Sequence, residues 1–381
     1  RHDCPDGVAG VQVRITDARD GSLVSVVGPT TGHAAARREL VGRLANNVLT
    51  ALAPMLDHRL TSWQGEELRL PSYEAYESYV QGLDAYNVTR QFNEALAHFS
   101  RARAADSTFY LASIWAVQSA IMGLNPAVDS IITELRSEYD RLTPYERDRL
   151  DFVTALRERD IPRGYQAAHR MLDRLPGSDD AKWETALFAL RLGRVDEGIR
   201  LLRELDPSRG WIGTMSEAYW WGLGAANHFR GDYDAELSVA REIADAGAPV
   251  LGRAIEVRAK IGLGHIDDAL EKLDEALLAA TPSPSLRGID GLRGDFALLM
   301  LTATELMAHG HPIEARSLFE HALRRLDDTD WDLSLATLVQ IGRAEVLYRL
   351  QDWEGAEAAI ANVDQNELAE DWYLRSRYLT C

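Results

Sequence analysis

A small–large–small triplet of side chains returns along this chain at helical spacing. Ala95, Phe99 and Ala102 stand four and three residues apart, as do Ala269, Leu273 and Ala276, and again Ala315, Phe319 and Ala322. Residues at those intervals share one face of a helix, and small side chains on that face let a second helix approach closely. Weaker versions occur at Gly198, Leu202 and Leu205 and at Ala356, Ile360 and Val363. Turns of one grammar precede them: Leu192-Gly193-Arg194-Val195-Asp196-Glu197, Gly231-Asp232-Tyr233-Asp234, Gly264-His265-Ile266-Asp267-Asp268, Gly310-His311-Pro312-Ile313-Glu314 and Gln351-Asp352-Trp353-Glu354. In that grammar a glycine ends one helix in a left-handed cap. The next apolar residue plugs the hairpin, and an acidic residue opens the second helix. Anchors at residues 95, 130, 167, 198, 236, 269, 315 and 356 predict about seven or eight helix hairpins. One hairpin cannot bury its apolar face alone, so the chain has to fold as a stacked array rather than around one centre.

These residues resemble the tetratricopeptide repeat (TPR). The triplet matches the order of that family's second helix, and Asp206-Pro207 sits where its repeat-closing proline falls. The resemblance implies an all-α fold, a TPR-like right-handed helical solenoid with a period of roughly 34 residues, whose work is protein–protein interaction. Glu236 departs from it by standing where the family places alanine, and several first helices lack the family's Trp-Leu-Gly pattern.

The start of the chain reads differently. Val11, Val13 and Ile15 alternate with Gln12, Arg14 and Thr16, the period of a half-buried strand. Asp17 to Ser22 is turn-forming, with Asp20-Gly21 a strong hairpin dipeptide, and Leu23 to Val27 supply a second strand. Two strands alone are marginal in water, so the hairpin is expected to pack on the helix that follows or on a neighbour. That helix is expected from Ala34 to Leu60, with Pro54 stopping or kinking it near Ala53. Ser72 is the expected N-cap of the next. The domains expected are therefore a small α/β segment over 1–60, a TPR-like array over 72–278, an irregular insertion over 279–293 and further helical pairs over 294–381.

A second resemblance spans about residues 11–278. It runs through Asp17-Ala18-Arg19-Asp20-Gly21, Leu52-Ala53-Pro54-Met55-Leu56, Pro71-Ser72-Tyr73-Glu74-Ala75-Tyr76, Leu142-Thr143-Pro144-Tyr145-Glu146-Arg147 and Leu205-Asp206-Pro207-Ser208-Arg209-Gly210-Trp211. This order is similar to C-terminal regions of bacterial serine/threonine kinases and regulators, in which the end of a TolB-like α/β domain leads into TPRs. The resemblance implies that residues 1–60 are the remnant of such a domain, and it implies an extracytoplasmic sensor or docking module.

Composition narrows the partners. With 41 basic and 59 acidic residues the chain carries a formal charge of −18. Such a surface repels phosphate backbones and anionic headgroups, which argues against nucleic acid and bare membrane. Only Lys182, Lys260 and Lys272 are lysines, too few for the carboxylate clamp that some TPR grooves build. Cys4 and Cys381 stand at opposite ends, two independent thiols and no disulfide framework. No stretch of 18 apolar residues appears, so no membrane span is expected. The chain opens on Arg1, so a processed or partial product is expected, and the sequence does not show what precedes Arg1, a signal peptide or membrane anchor included.

Catalytic signatures fail one by one. Gly222-Leu223-Gly224 and Gly262-Leu263-Gly264 lack the third glycine and preceding strand of a nucleotide loop, and the kinase motifs are missing. Asp328, Asp330 and Asp332 alternate like a calcium loop, but Leu333 and Val339 stand where it needs Gly and Glu. His309, His311, Glu314 and His321 lie close in sequence without a metal motif. No catalytic, metal or cofactor site is expected, and the chain is not expected to be an enzyme. The candidate partner-binding residues are Trp211, Tyr219, Trp220, Trp221 and Phe229, the densest aromatic group. Tyr219 to Trp221 cannot all face one core, because neighbours on a helix point about 100° apart. The expected function is a non-enzymatic scaffold, an extrinsic subunit docking onto a larger bacterial assembly, a membrane complex being one candidate. It is expected in the periplasm or outside the cytoplasmic membrane, associated with the membrane through a partner or an anchor not in this sequence, with the cytoplasm as the alternative. The functional alternatives are a ligand- or peptide-sensing TPR module of a signalling regulator and, behind it, an enzyme acting through an unrecognised site.

Overall fold

The computed structural model describes residues 7–56, 71–123, 125–208, 212–213, 216–280, 294–328 and 336–363. The chain divides into two compact units, Arg1–Met215 and Ser216–Cys381. The division falls inside the stretch that reads as one array in the sequence.

The first unit begins with strand β1 (Val8–Thr16) antiparallel to β2 (Leu23–His33), with Val13 opposite Val27. The turn between them closes where the Gly21 amide donates to the Asp17 carbonyl at 2.8 Å, Gly21 adopting φ +73°. β1 alternates exposed and half-buried residues along its whole length, as its period of two requires. β2 runs six residues past the expected Val27 end, to His33. Helix α1 (Arg37–Leu56) packs on β2, which is how two strands persist. Leu40 and Val27 are buried there, and the Arg43 guanidinium donates to the Thr31 carbonyl at 2.7 Å. A 3-10 turn over Ala34–Ala36 replaces the expected first turn of α1, and the helix passes Pro54 to end at Leu56. A proline this near a helix end removes one backbone bond and leaves the turns before it intact. Residues 57–60 of the expected helix lie outside the described residues.

Eight helix hairpins follow among the described residues. In the first unit these are α2 (Tyr73–Asn87) with α3 (Phe92–Ala105), α4 (Tyr110–Met122) with α5 (Val128–Ser137), α6 (Pro144–Glu158) with α7 (Ile161–Arg174), and α8 (Asp179–Arg191) with α9 (Val195–Arg203). In the second they are α10 (Ser216–Phe229) with α11 (Tyr233–Asp245), α12 (Pro249–Gly262) with α13 (Ile266–Ala280), α14 (Gly294–Ala308) with α15 (Pro312–Asp328), and α16 (Ala336–Arg349) with α17 (Trp353–Ala361). Each unit is thus a TPR-like array of stacked hairpins. α13 runs to Ala280, two residues into the expected insertion over 279–293; residues 281–293 lie outside the described residues.

Local sequence explains the boundaries. Ser72 caps α2 by accepting from the Ala75 amide, and Thr143 and Glu146 form a reciprocal capping box that opens α6 at Pro144. Gly193, Gly231, Gly264 and Gly310 take φ between +73° and +84° at the hairpin turns, as the turn grammar predicts. Gln351, Arg90 and Arg159 do the same work at φ +65°, +55° and +58°, although a side chain there costs about 1–2 kcal/mol.

Packing follows the triplets. Ala95, Phe99 and Ala102 are fully buried, as are Ala269 and Ala276 around Leu273, and Ala315 and Ala322 around Phe319. The close approach is measurable at Gly82 of α2, where an added Cβ would lie 2.6 Å from the Phe99 ring of α3. Every residue of α4 from Tyr110 to Ala120 is buried, because hairpin neighbours enclose that helix on all sides. In the last hairpin Ala359 and Val363 are buried while Ala356 is half-buried, so its packed face is turned from the one the triplet marks.

Candidate protein-interaction site

The aromatic residues of α10 separate by helical rotation. Tyr219 and Trp220 are buried and meet edge to face with ring centroids 4.9 Å apart. Trp221, one residue on, is half-buried beneath the Arg258 guanidinium, 4.6 Å from its ring centroid. Phe229, at the end of the helix, is 77% exposed. Trp211 lies outside the described residues. The group that is contiguous in sequence therefore splits into two core residues, a platform for a buried cation, and a free aromatic at a hairpin turn.

Phe229 has company at equivalent places in the second unit. Where α14 turns into α15, Met307 is exposed and Ile313 is 81% exposed; where α16 turns into α17, Tyr348 is exposed and Trp353 is 57% exposed. Tyr348 and Trp353 pack edge to face at 5.1 Å. The turn grammar assigns Ile313 and Trp353 the role of hairpin plug. Val195, Tyr233 and Ile266 hold that position half-buried, whereas Ile313 and Trp353 leave it facing water. Large apolar side chains left in water at three hairpin turns are what a binding surface carries.

The first unit carries a different feature. Tyr86, Gln118, Arg149 and Glu184 stand on α2, α4, α6 and α8, one on each first helix. Gln118 Nε2 lies 3.2 Å from the Tyr86 hydroxyl, 32 residues away, and 3.2 Å from Glu184 Oε1, 66 residues away. Arg149, 31 residues from Gln118, donates Nη2 to its carbonyl oxygen at 3.2 Å. One polar side chain per repeat thus forms a ladder across four helices. Arg149 is fully buried, stacked 4.2 Å from the Trp115 ring centroid, with Nη1 3.9 Å from Asp180; its Nε and Nη1 have no hydrogen-bond partner. Burial pushes the Glu184 carboxyl up to about 7 even with Arg149 opposing it.

Around α11 the departure at Glu236 acquires its reason. Glu236 has no exposed surface; one oxygen accepts from Arg258 Nε at 2.6 Å, and the other lies 2.8 Å from His228 Nδ1. His228 Nε2 lies 2.9 Å from Glu305 Oε1, as does His309 Nε2. Burial works against a charge on His228, but hydrogen bonds to Glu236 and Glu305 outweigh it and push the imidazole up to about 9. His309 therefore keeps company with Glu305 and His228, not with the neighbours that sequence suggests. His321 lines a separate cavity with Asp295 and Arg325, and His311 lies half-buried in the turn. The Asp330–Asp332 stretch of the calcium-like loop lies outside the described residues. The sequence signal for this cluster was Glu236 itself, a carboxylate in an alanine position, which implies buried partners without naming them.

The fold is that of a TPR-like helical-repeat protein. Among solved structures the chain is similar to the apo form of RapI, at 8% identity over 80% of this chain and 95% of that one, with a TM-score of 0.51. It is also similar to yeast Tom70 (15% identity, 91% of this chain and 75% of that one, TM-score 0.45). A tetratricopeptide repeat protein from Parabacteroides merdae ATCC 43184 aligns at 12% identity over 73% of this chain and 99% of that one, with a TM-score of 0.42. No protein-family model matches the chain, and no curated protein matches it. At such identities the likeness speaks to fold alone, and RapI carries it. No described helix is long and apolar enough to cross a membrane.

Proposed function

We propose that this chain is a non-enzymatic docking module, which holds another protein against the hairpin-turn edge of its second unit. The observation that carries this reading is the exposure of the hairpin plugs Ile313 and Trp353, at 81% and 57%, where the repeat grammar would tuck the residue away, together with that of Phe229 at the end of α10, at 77%. An apolar partner surface that covers these side chains recovers the hydrophobic free energy that folding leaves unrealised. Service as an extrinsic subunit of a larger bacterial assembly, and an extracytoplasmic setting, belong to this proposal through the kinase-regulator resemblance.

The test compares the native protein with the double variant Phe229→Ser, Trp353→Ser. Both proteins are purified from gently solubilised membranes of the source, and what co-elutes through size exclusion is identified by mass spectrometry. We expect a stoichiometric partner on the native protein and its loss from the variant. Anchors of this kind are each worth about 2 kcal/mol or more, while surface changes leave stability within about 0.5 kcal/mol. An unchanged partner on the variant, or none on the native protein, refutes the docking surface.

One observation favours a second reading, a peptide-sensing module. The Tyr86–Gln118–Arg149–Glu184 ladder runs along the first helices, and Arg149 has two N–H groups without partners. A peptide carboxylate would satisfy them. Arg149 is fully buried, however, and a ligand would have to open the helices to reach it, so the exposed edge is the stronger candidate.

A further inference from the structure

Glu305 lies on the last turn of α14, His309 follows directly after the helix end with its amide donating to the Glu305 carbonyl at 3.0 Å, and His228 lies in the last turn of α10. One potential ligand atom from each of the three side chains lies within 4.8 Å of the others, and each histidine Nε2 is 2.9 Å from Glu305 Oε1. Around a four-coordinate zinc ion at 2.0–2.1 Å, ligand atoms stand about 3.3 Å apart. The three side chains thus need only a small spread to admit an ion. Their outer shell is that of a metal site as well. His228 presents Nδ1 to Glu236 at 2.8 Å, and Arg258 holds the other Glu236 oxygen at 2.6 Å. A carboxylate on the far nitrogen fixes a ligating imidazole's tautomer and raises its basicity. The Tyr233 ring packs against both imidazoles, 5.1 Å from His228 and 5.8 Å from His309, which holds the rings in place. The side chains of His228 and Glu305 are 14% exposed and that of His309 25%, so the cluster is sheltered yet open on one side.

We propose that His228, Glu305 and His309 form a binding site for one divalent transition-metal ion of the zinc class, with water as the fourth ligand. Two imidazoles and a carboxylate select such an ion over calcium or magnesium, which prefer all-oxygen shells. Binding releases protons from the imidazole nitrogens to solvent and replaces the histidine–Glu305 hydrogen bonds with metal bonds. The ion then ties the end of α10 to the end of α14, a cross-link between hairpins that are not neighbours in sequence. The site stands independently of the docking reading.

The experiment uses the full chain without an affinity tag, stripped with a chelator and titrated with Zn2+ by calorimetry, with Co2+ absorption reporting the geometry. One equivalent of Zn2+ and a tetrahedral Co2+ spectrum are expected. Outer-shell changes cost about 10–100-fold in affinity, so Glu236→Gln should weaken binding within that range and loss of a ligand in His309→Ala by at least about 100-fold. His321→Ala, outside the site, should bind like the parent. His309 is the most exposed ligand, so His309→Ala tests the site even if His228→Ala fails to fold. No saturable binding by the parent, or binding undiminished in His309→Ala with its circular dichroism intact, overturns the proposal.

Discussion

Glu236 shows what one residue does when it breaks a repeat's rule. An alanine there would meet the packing requirement of the second helix, yet this chain buries a carboxylate and surrounds it with Arg258 and His228. Restoring the family residue should therefore harm the fold. Glu236→Ala leaves Arg258, 6% exposed on its side chain, as an uncompensated buried charge, a situation that costs about 3–5 kcal/mol. A fall in the midpoint of chemical denaturation is the expected result, and a midpoint equal to or above that of the parent would refute it. His228 adds a pH dependence to the metal-free protein. Its folded value near 9 lies above its ordinary 6.5, so the folded state holds the proton more tightly. The stabilisation is complete below about 6.5 and disappears as pH rises through about 9. Melting temperatures in chelator should decline across that window for the parent, and the decline should be absent from His228→Gln.

At the scale of the element, the hairpins were legible because each depends on residues close in sequence. Caps at Ser72 and Thr143, glycines at Gly193, Gly231, Gly264 and Gly310, and the three strong triplets act within one or two helical turns. Arg90 and Arg159 were not legible as left-handed caps, since nothing about an arginine announces φ above zero; the strain is imposed by the helices on either side. Gly82 marks the limit of what the element tolerates. A methyl group on Gly82 meets the Phe99 ring at 2.6 Å, so in Gly82→Ala either that fully buried ring or the helices themselves must shift. Overpacking of this kind costs about 1–3 kcal/mol, which outweighs the roughly 1 kcal/mol that alanine gains over glycine within a helix. Urea denaturation should show a net loss of stability, and a gain would mean that the hairpin is looser than the structure describes.

For the molecule as a whole, the division at Met215–Ser216 gives two units with separate buried cores, one from Ala75 to Ala189 and one from Ala254 to Val363. Stability in repeat arrays is built from local interfaces, and separate cores need not melt together. Gly82→Ala should accordingly reduce amide protection in helices of the first unit and leave α12 to α16 at parental levels in hydrogen exchange. Equal loss in both units would show that they unfold as one.

What this sequence determined by itself was the repeat: which segments are helices, where they turn, and which face each of the three strong triplets buries. Those choices rest on propensities, capping and periodicity, all of which operate over a few residues. The tertiary structure alone decided which residues meet across repeats. Helical rotation sent Tyr219 and Trp220 inward and left Phe229 in water, although all three lie within one aromatic run. Stacking brought His228 to Glu305 and His309, far apart in the chain, and aligned Tyr86, Gln118, Arg149 and Glu184 across four helices. Such meetings depend on how whole hairpins settle against one another, and no local pattern carries that information.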